Sequence, residues 1–201
     1  MSTQAMSLFF TFLALTSLLG AAGFLILSGA NRTSQGKDLS PTVTDLIRLA
    51  LPLAWAVATV STLGSLYYSE IAKFKPCPLC WYQRIAMYPL VLLLGIATVR
   101  RDRSIRGYVA AQAGVGAAIA LYHSFIQAFP PEGGSSFCTV EAPCTERYVW
   151  ELGFVSIPFM ALSGFLFIIS LMVFTGLGER SSTPTPLTPA EGDSSEETCP
   201  T

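Results

Sequence analysis

Hydrophobic positions along the chain fall into five long blocks, at about residues 8–27, 49–68, 81–99, 108–129 and 154–177, with short polar segments between them. Each block approaches or exceeds the roughly 18–20 residues that an α-helix needs to cross a bilayer. Runs this long and this poor in charge are rare in soluble folds. The pattern therefore predicts an all-α integral membrane protein with five transmembrane helices. Composition agrees: 51% of the 201 residues are hydrophobic and 12% charged, against roughly a quarter charged in a soluble domain. The net charge of −1 leaves no basic footprint for nucleic acid. The sequence holds no internal repeat, no phosphate-binding glycine loop and no Ser-His-Asp arrangement.

The polar connections set an orientation. The segment RRDRSIR at 100–106 carries four arginines and one aspartate, whereas 130–151 carries Glu132, Glu141, Glu146 and Glu151 against Arg147. Short loops rich in Lys and Arg stay in the cytoplasm, so 100–106 is expected inside. Alternation then puts 73–80 and 130–151 outside and 31–48 inside. The first block has no Lys or Arg before it and is longer than a usual signal-peptide core. It is expected to be a retained helix over 1–30, followed by a cytoplasmic linker over 31–45. The tail over 178–201 is rich in Ser, Thr, Pro and Glu, a composition that cannot bury enough apolar area to order itself. It is expected to be disordered and cytoplasmic.

The same topology sorts the five cysteines. Cys77 and Cys80 fall in one outer loop, Cys138 and Cys144 in the other, and Cys199 in the tail, where thiols stay reduced. In Cys77-Pro78-Leu79-Cys80 the second cysteine sits near a helix N-terminus, where unpaired N–H groups favour a thiolate. Arg84 follows Cys80 by four residues and shares its helix face. A guanidinium beside a thiolate stabilises the charged form. Cys138 and Cys144 close a short loop, so a disulfide there gains little from chain entropy. The surrounding segment is polar and glycine-containing, which predicts an exposed, mobile pair suited to thiol exchange. Two stapling disulfides, or a four-cysteine zinc set, are the competing readings of the same spacing; no metal is expected.

His123, the single histidine, lies about two turns before the end of the fourth block, roughly 10 Å below the surface at 1.5 Å per residue. Gln127 follows it by four residues on the same face. Ionisable residues within a span are costly and usually functional. Arg84, His123 and Gln127 are therefore candidates to surround a polar head group, for which a quinone is suited because it accepts the two electrons that a dithiol supplies.

Together, CPLCWYQR, YHSFIQAFP, the second outer-loop cysteine pair and GFVSIPFMALSGF closely resemble the DsbB family of membrane disulfide-forming proteins, over roughly residues 45–177. The short Cys138–Cys144 spacing looks like the BdbC branch. The resemblance implies a four-helix transmembrane bundle of DsbB type over 46–177, with the first helix as an addition. It implies a protein that reoxidises an extracytoplasmic thioredoxin-fold partner of DsbA or BdbD type and passes the electrons to ubiquinone or menaquinone in a bacterial cytoplasmic membrane. Cys138–Cys144 would be the disulfide attacked by the partner, and Cys77–Cys80 the disulfide that reoxidises it. Cys77 would exchange with the loop pair and Cys80 would face the quinone, with Arg84, His123 and Gln127 at the quinone site. Gln83 stands where the best-known branch has an acidic residue. A vitamin K epoxide reductase-like protein is the rival enzyme reading, but there the quinone-facing pair comes late in the bundle. A membrane protein with purely structural disulfides is the non-enzymatic one.

Overall fold

The computed structural model describes residues 3–33, 41–130, 138 and 143–180, with the side chains of 31–33 and 177–180 excepted. Five α-helices account for most of these residues: α1 (Thr3–Thr33), α2 (Pro41–Leu66), α3 (Pro78–Arg100), α4 (Arg106–Ala128) and α5 (Ile157–Arg180). All five are long and apolar enough to cross a membrane, as the block pattern predicts. The linker expected over 31–45 is shorter than that, because α1 continues to Thr33 and α2 begins at Pro41. A proline at the first helical position has no N–H to leave unsatisfied. Residues 34–40 of that linker lie outside the described residues, as do 181–201 of the tail expected over 178–201, with Cys199; residues 178–180 belong instead to the end of α5.

Helix ends follow local chemistry. α2 does not stop at Leu66 but widens into a π-helical turn, Tyr67–Ile71. α3 ends at Arg101 in the left-handed conformation (φ 53°), whose N–H returns to the carbonyls of Ala97 and Thr98, a C-terminal cap of the kind that satisfies late carbonyls. α5 starts at Ile157 rather than at the apolar Phe154. The preceding residues form a tight turn with Leu152 at φ 53° and Gly153 at φ 79°, closed by paired hydrogen bonds between Glu151 and Val155.

α5 is the packing centre, in contact with α1, α2 and α4, while α2 pairs with α3 and α3 with α4. Small residues make these approaches close. Ala50, Ala54 and Ala58 of α2 and Ala113, Ala117 and Ala120 of α4 are buried against Leu90, Leu94, Phe165, Ile168 and Leu171. Small interface residues are how membrane helices gain packing where burial from lipid offers no hydrophobic drive. On the outside, Ile85, Leu92, Val99 and Leu121 are largely exposed, an apolar surface suited to lipid and hazardous in water. α1 seats on the bundle through a seam of Ser7, Thr11, Ala14, Ala21 and Ser28, all buried. Its serines and threonine return their hydroxyl protons to carbonyls one turn back. The alternation of the helices puts both cysteine pairs at one end of the bundle and the arginine-rich 100–106 connection at the other.

Candidate active site

α3 begins on a cysteine. Cys77 is its N-cap, with extended backbone (φ −73°, ψ 168°), followed by Pro78 in the first turn. Its Sγ accepts the backbone N–H of Cys80 at 3.4 Å, and its carbonyl accepts Trp81 N–H at 3.1 Å. An N-cap acceptor satisfies one of the orphan N–H groups of the first turn; here the acceptor is sulfur. The two sulfurs lie 3.0 Å apart, and Cys77 and Cys80 are both free thiols. The Cys77 thiol is lowered from an ordinary 9.0 to about 4, first by its hydrogen bond with Cys80, against the opposing effect of burial, and further by His123. The favoured thiolate is thus at the cap residue Cys77, not at Cys80 as the helix-dipole argument expects. The cap sulfur is the one that receives the N–H and the imidazole.

His123 joins the two cysteine pairs. It is 1% exposed. Its Nε2 lies 3.7 Å from Cys77 Sγ and donates to the carbonyl oxygen of Cys144 at 3.1 Å. The other ring nitrogen, Nδ1, accepts from Gln83 Nε2 at 3.0 Å, which fixes the tautomer with its proton on Nε2. Gln83 is 7% exposed and had no assigned role in the sequence reading. Its position three residues after Cys80, on the same side of α3, is the signal that marks it.

Cys138 and Cys144 form a disulfide with their Cα atoms 5.7 Å apart. The expectation of an exposed pair does not hold for Cys144, which is 2% exposed and clusters with Cys77, Leu79 and Ile126. The segment after it is tied to α4: Gln127 Nε2 donates to the Glu146 carbonyl at 2.8 Å, and Arg147 Nε donates to the Gln127 carbonyl at 3.0 Å. Arg147 also lies over Trp150, 4.0 Å from the ring centre. Polar composition made the segment look free, but these bonds pull it down onto the bundle.

Arg84 reaches across to α2. Its Nε donates to Ser65 Oγ at 2.9 Å and its Nη2 to the Ser65 carbonyl at 3.0 Å, and its guanidinium lies 5.1 Å from the Trp81 ring centre. The π-helical turn follows directly, and such turns are frequent at functional sites. Cys77, Cys80, Arg84, His123, Gln127 and Cys144 all line one cavity of about 260 Å³. The structure thus brings together the candidate residues that the sequence singled out, with Cys138 covalently attached to the last of them. Gln127 Oε1 is buried there without a hydrogen-bond partner among the described residues. The ligand atoms of Cys77, Cys80 and His123 lie within 4.8 Å of one another, a grouping that a soft divalent ion could bridge. A four-cysteine set does not form, because Cys138 and Cys144 are bonded to each other.

A helical membrane bundle that holds a dithiol and a disulfide against one buried histidine is built for thiol–disulfide chemistry at the membrane edge. The comparisons agree. The model of the family described as Disulfide bond formation protein DsbB matches residues 47–175, and the chain belongs to this family. It is 48% identical over 128 residues to Disulfide bond formation protein C of Bacillus subtilis (strain 168), covering 64% of this chain and 92% of that one. It is 51% identical over 119 residues to Probable disulfide formation protein C 1 of Bacillus cereus (strain ATCC 10987 / NRS 248), covering 59% of this chain and 86% of that one. No solved structure gives a significant match. The family match spans α2 to α5 and leaves α1 outside it. The protein is therefore a disulfide-forming oxidoreductase of the membrane.

Proposed function

We propose that the chain reoxidises an extracytoplasmic thioredoxin-fold dithiol protein of DsbA or BdbD type and delivers the electrons to a membrane quinone, ubiquinone or menaquinone. The observation that carries the internal relay is the position of His123 Nε2, in reach of both Cys77 Sγ and the Cys144 carbonyl. A partner thiolate attacks the Cys138–Cys144 bond; a mixed disulfide forms, and the partner's second thiol resolves it. The partner leaves oxidised and the loop pair is left as two thiols. One loop thiolate then attacks the Cys77 sulfur of an oxidised Cys77–Cys80 pair, and that bond breaks with Cys80 taking a proton. The second loop thiol attacks the loop sulfur of the new bond and Cys77 departs. A leaving thiol departs faster the lower its pKa, and the contacts of Cys77 with Cys80 and His123 hold its thiolate form. The loop disulfide is restored and Cys77 and Cys80 are left reduced, the state in which they stand here.

Exchange alone moves oxidation from one pair to another, so net disulfide synthesis needs an electron sink. A bound quinone supplies a two-electron, two-proton sink dissolved in the membrane. The cavity fits its head group. Among the described residues Arg84 Nη1 has no hydrogen-bond partner and Gln127 Oε1 is buried without one, and Cys80 lines the same space. Arg84 would donate to a quinone oxygen, Gln127 Oε1 would accept from a hydroxyl of the reduced quinol, and Cys80 would face the ring. The redox end is extracytoplasmic in this reading because the arginine-rich 100–106 segment anchors the opposite end inside. The test is anaerobic oxidation of a reduced thioredoxin-fold dithiol by the purified protein, with added quinone. One quinol per disulfide formed supports the reading; disulfide formation with no quinol rejects it.

A further inference from the structure

The cavity at the redox site does not end at the redox residues. From Arg84 and Cys80 it continues between helices along Ser61, Gly64 and Gly164 to Leu13, Ala14 and Ser17 of α1. A second cavity of about 440 Å³ lies where Met6 of α1 meets Leu63, Leu66 and Ile71. Among the described residues the two share Phe10, Val60 and Gly64. Phe10 stands over Gly64: a Cβ built on Gly64 would come 2.6 Å from Phe10 Cζ, so the absent side chain is what admits the ring. Phe10 also touches Tyr68, with ring centres 5.8 Å apart. α1 is held in this position by its small-residue seam, by Phe24 against Phe174 (4.9 Å) and by Gly20 facing Phe167.

We propose that α1 completes an apolar arm of the quinone cavity, that this arm takes the isoprenoid tail of the quinone, and that Phe10 over Gly64 is the gate through which the tail passes toward lipid. The inference rests on the quinone reading above. The polar end of the cavity holds Arg84, His123 and Gln127, and the arm that leaves it is lined by alanine, glycine, serine and aliphatic groups. A ligand with a polar head and a long apolar tail matches that order of surfaces. α1 lies outside the residues that the family match covers, so the tail-binding wall is a feature this chain adds to the shared redox site.

Two full-length variants test this by binding rather than turnover, read by quenching of tryptophan fluorescence with a tail-less quinone and with the same head group carrying an isoprenoid tail. Ser17→Leu fills the arm. It should reduce the preference for the tailed over the tail-less quinone by about ten-fold, the worth of roughly two buried methylenes. Phe10→Ala removes the gate and should speed dissociation of the tailed quinone about ten-fold relative to the tail-less one. An unchanged preference in Ser17→Leu together with an unchanged dissociation rate in Phe10→Ala overturns the inference while leaving the quinone reading standing. A change in co-purifying phospholipid with no change in quinone preference also overturns it, and assigns the arm to an acyl chain. Failure of the unaltered protein to bind either quinone overturns the quinone reading itself, and the inference with it.

Discussion

The Sγ of Cys77 lies 3.7 Å from Nε2 of His123, and that nitrogen is also the donor to the backbone of Cys144. One imidazole thus touches both redox pairs, and Gln83 holds its far nitrogen. The consequence can be read in a pH profile. The Cys77 thiol is depressed from 9.0 to about 4. Its thiolate is therefore populated across neutral pH, and the stabilisation it gives the fold is present above the ordinary thiol range and lost as pH falls through about 4. Alkylation of Cys77 should stay fast down to mildly acidic pH. His123→Phe should move the midpoint upward and slow exchange between the pairs by about 100-fold, the scale of one acid–base group. Gln83→Leu should give a smaller shift in the same direction, because it frees the tautomer without removing the ring. An unshifted alkylation profile in His123→Phe would remove His123 from the relay.

Arg84 should separate charge from shape. Arg84→Ala loses two hydrogen bonds to Ser65 and the proposed head-group donor. Bonds to a charged group are worth about 1.5–3 kcal/mol each, so the KM for quinone should rise by about ten-fold or more. Arg84→Lys keeps the charge without the planar fork and should recover only part of this. Steady-state kinetics with quinone as the varied substrate decides it; equal KM values in all three proteins contradict the assignment.

Packing makes its own prediction. A Cβ on Gly116 would run into the ring of Phe165, which is fully buried at the α4–α5 contact. Gly116→Ala should destabilise the bundle by about 1–3 kcal/mol, the usual cost of overpacking. Phe165→Leu in the same chain should relieve much of that cost, a coupling expected of neighbours in contact. Thermal melts in detergent measure the cycle, and additive effects would show that the ring does not sit there.

Orientation can be read from outside the cell. Ser104, in the arginine-rich connection, and Lys75, just before the Cys77 cap, are both exposed. A membrane-impermeant maleimide should label Lys75→Cys and spare Ser104→Cys in intact cells. Labelling of Ser104→Cys would invert the topology and place the redox end in a reducing compartment.

The spans were legible because lipid imposes a length and an apolar composition on every helix that crosses it. The exception at α5 is instructive: Phe154 is apolar but belongs to the turn that Leu152 and Gly153 make before the helix starts. The site was legible in its residue types. Cys77, Cys80 and Arg84 share one helix start, and His123 and Gln127 share one face of another. What the sequence concealed depends on contacts between elements. Cys144 sits in a polar segment yet is buried, because Gln127 and Arg147 tie that segment to α4. Gln83 was visible as a missing carboxylate one turn after Cys80, but its bond to His123 needs α3 and α4 to be placed side by side. The reach of α1 into the cavity likewise depends on Phe10 meeting Gly64, 54 positions along the chain.

The relay from the loop pair to Cys77–Cys80 is the centre of the account, and single-turnover against steady-state oxidation of a reduced thioredoxin-fold partner, with quinone supplied, tests it most directly. Cys138→Ala should not oxidise the partner, although its chemically reduced Cys77 and Cys80 should still reduce quinone. Cys80→Ala keeps the loop disulfide and should oxidise at most one equivalent of partner before stopping. Sustained turnover by Cys80→Ala would contradict the relay and leave Cys77 and Cys80 as a structural cap on α3.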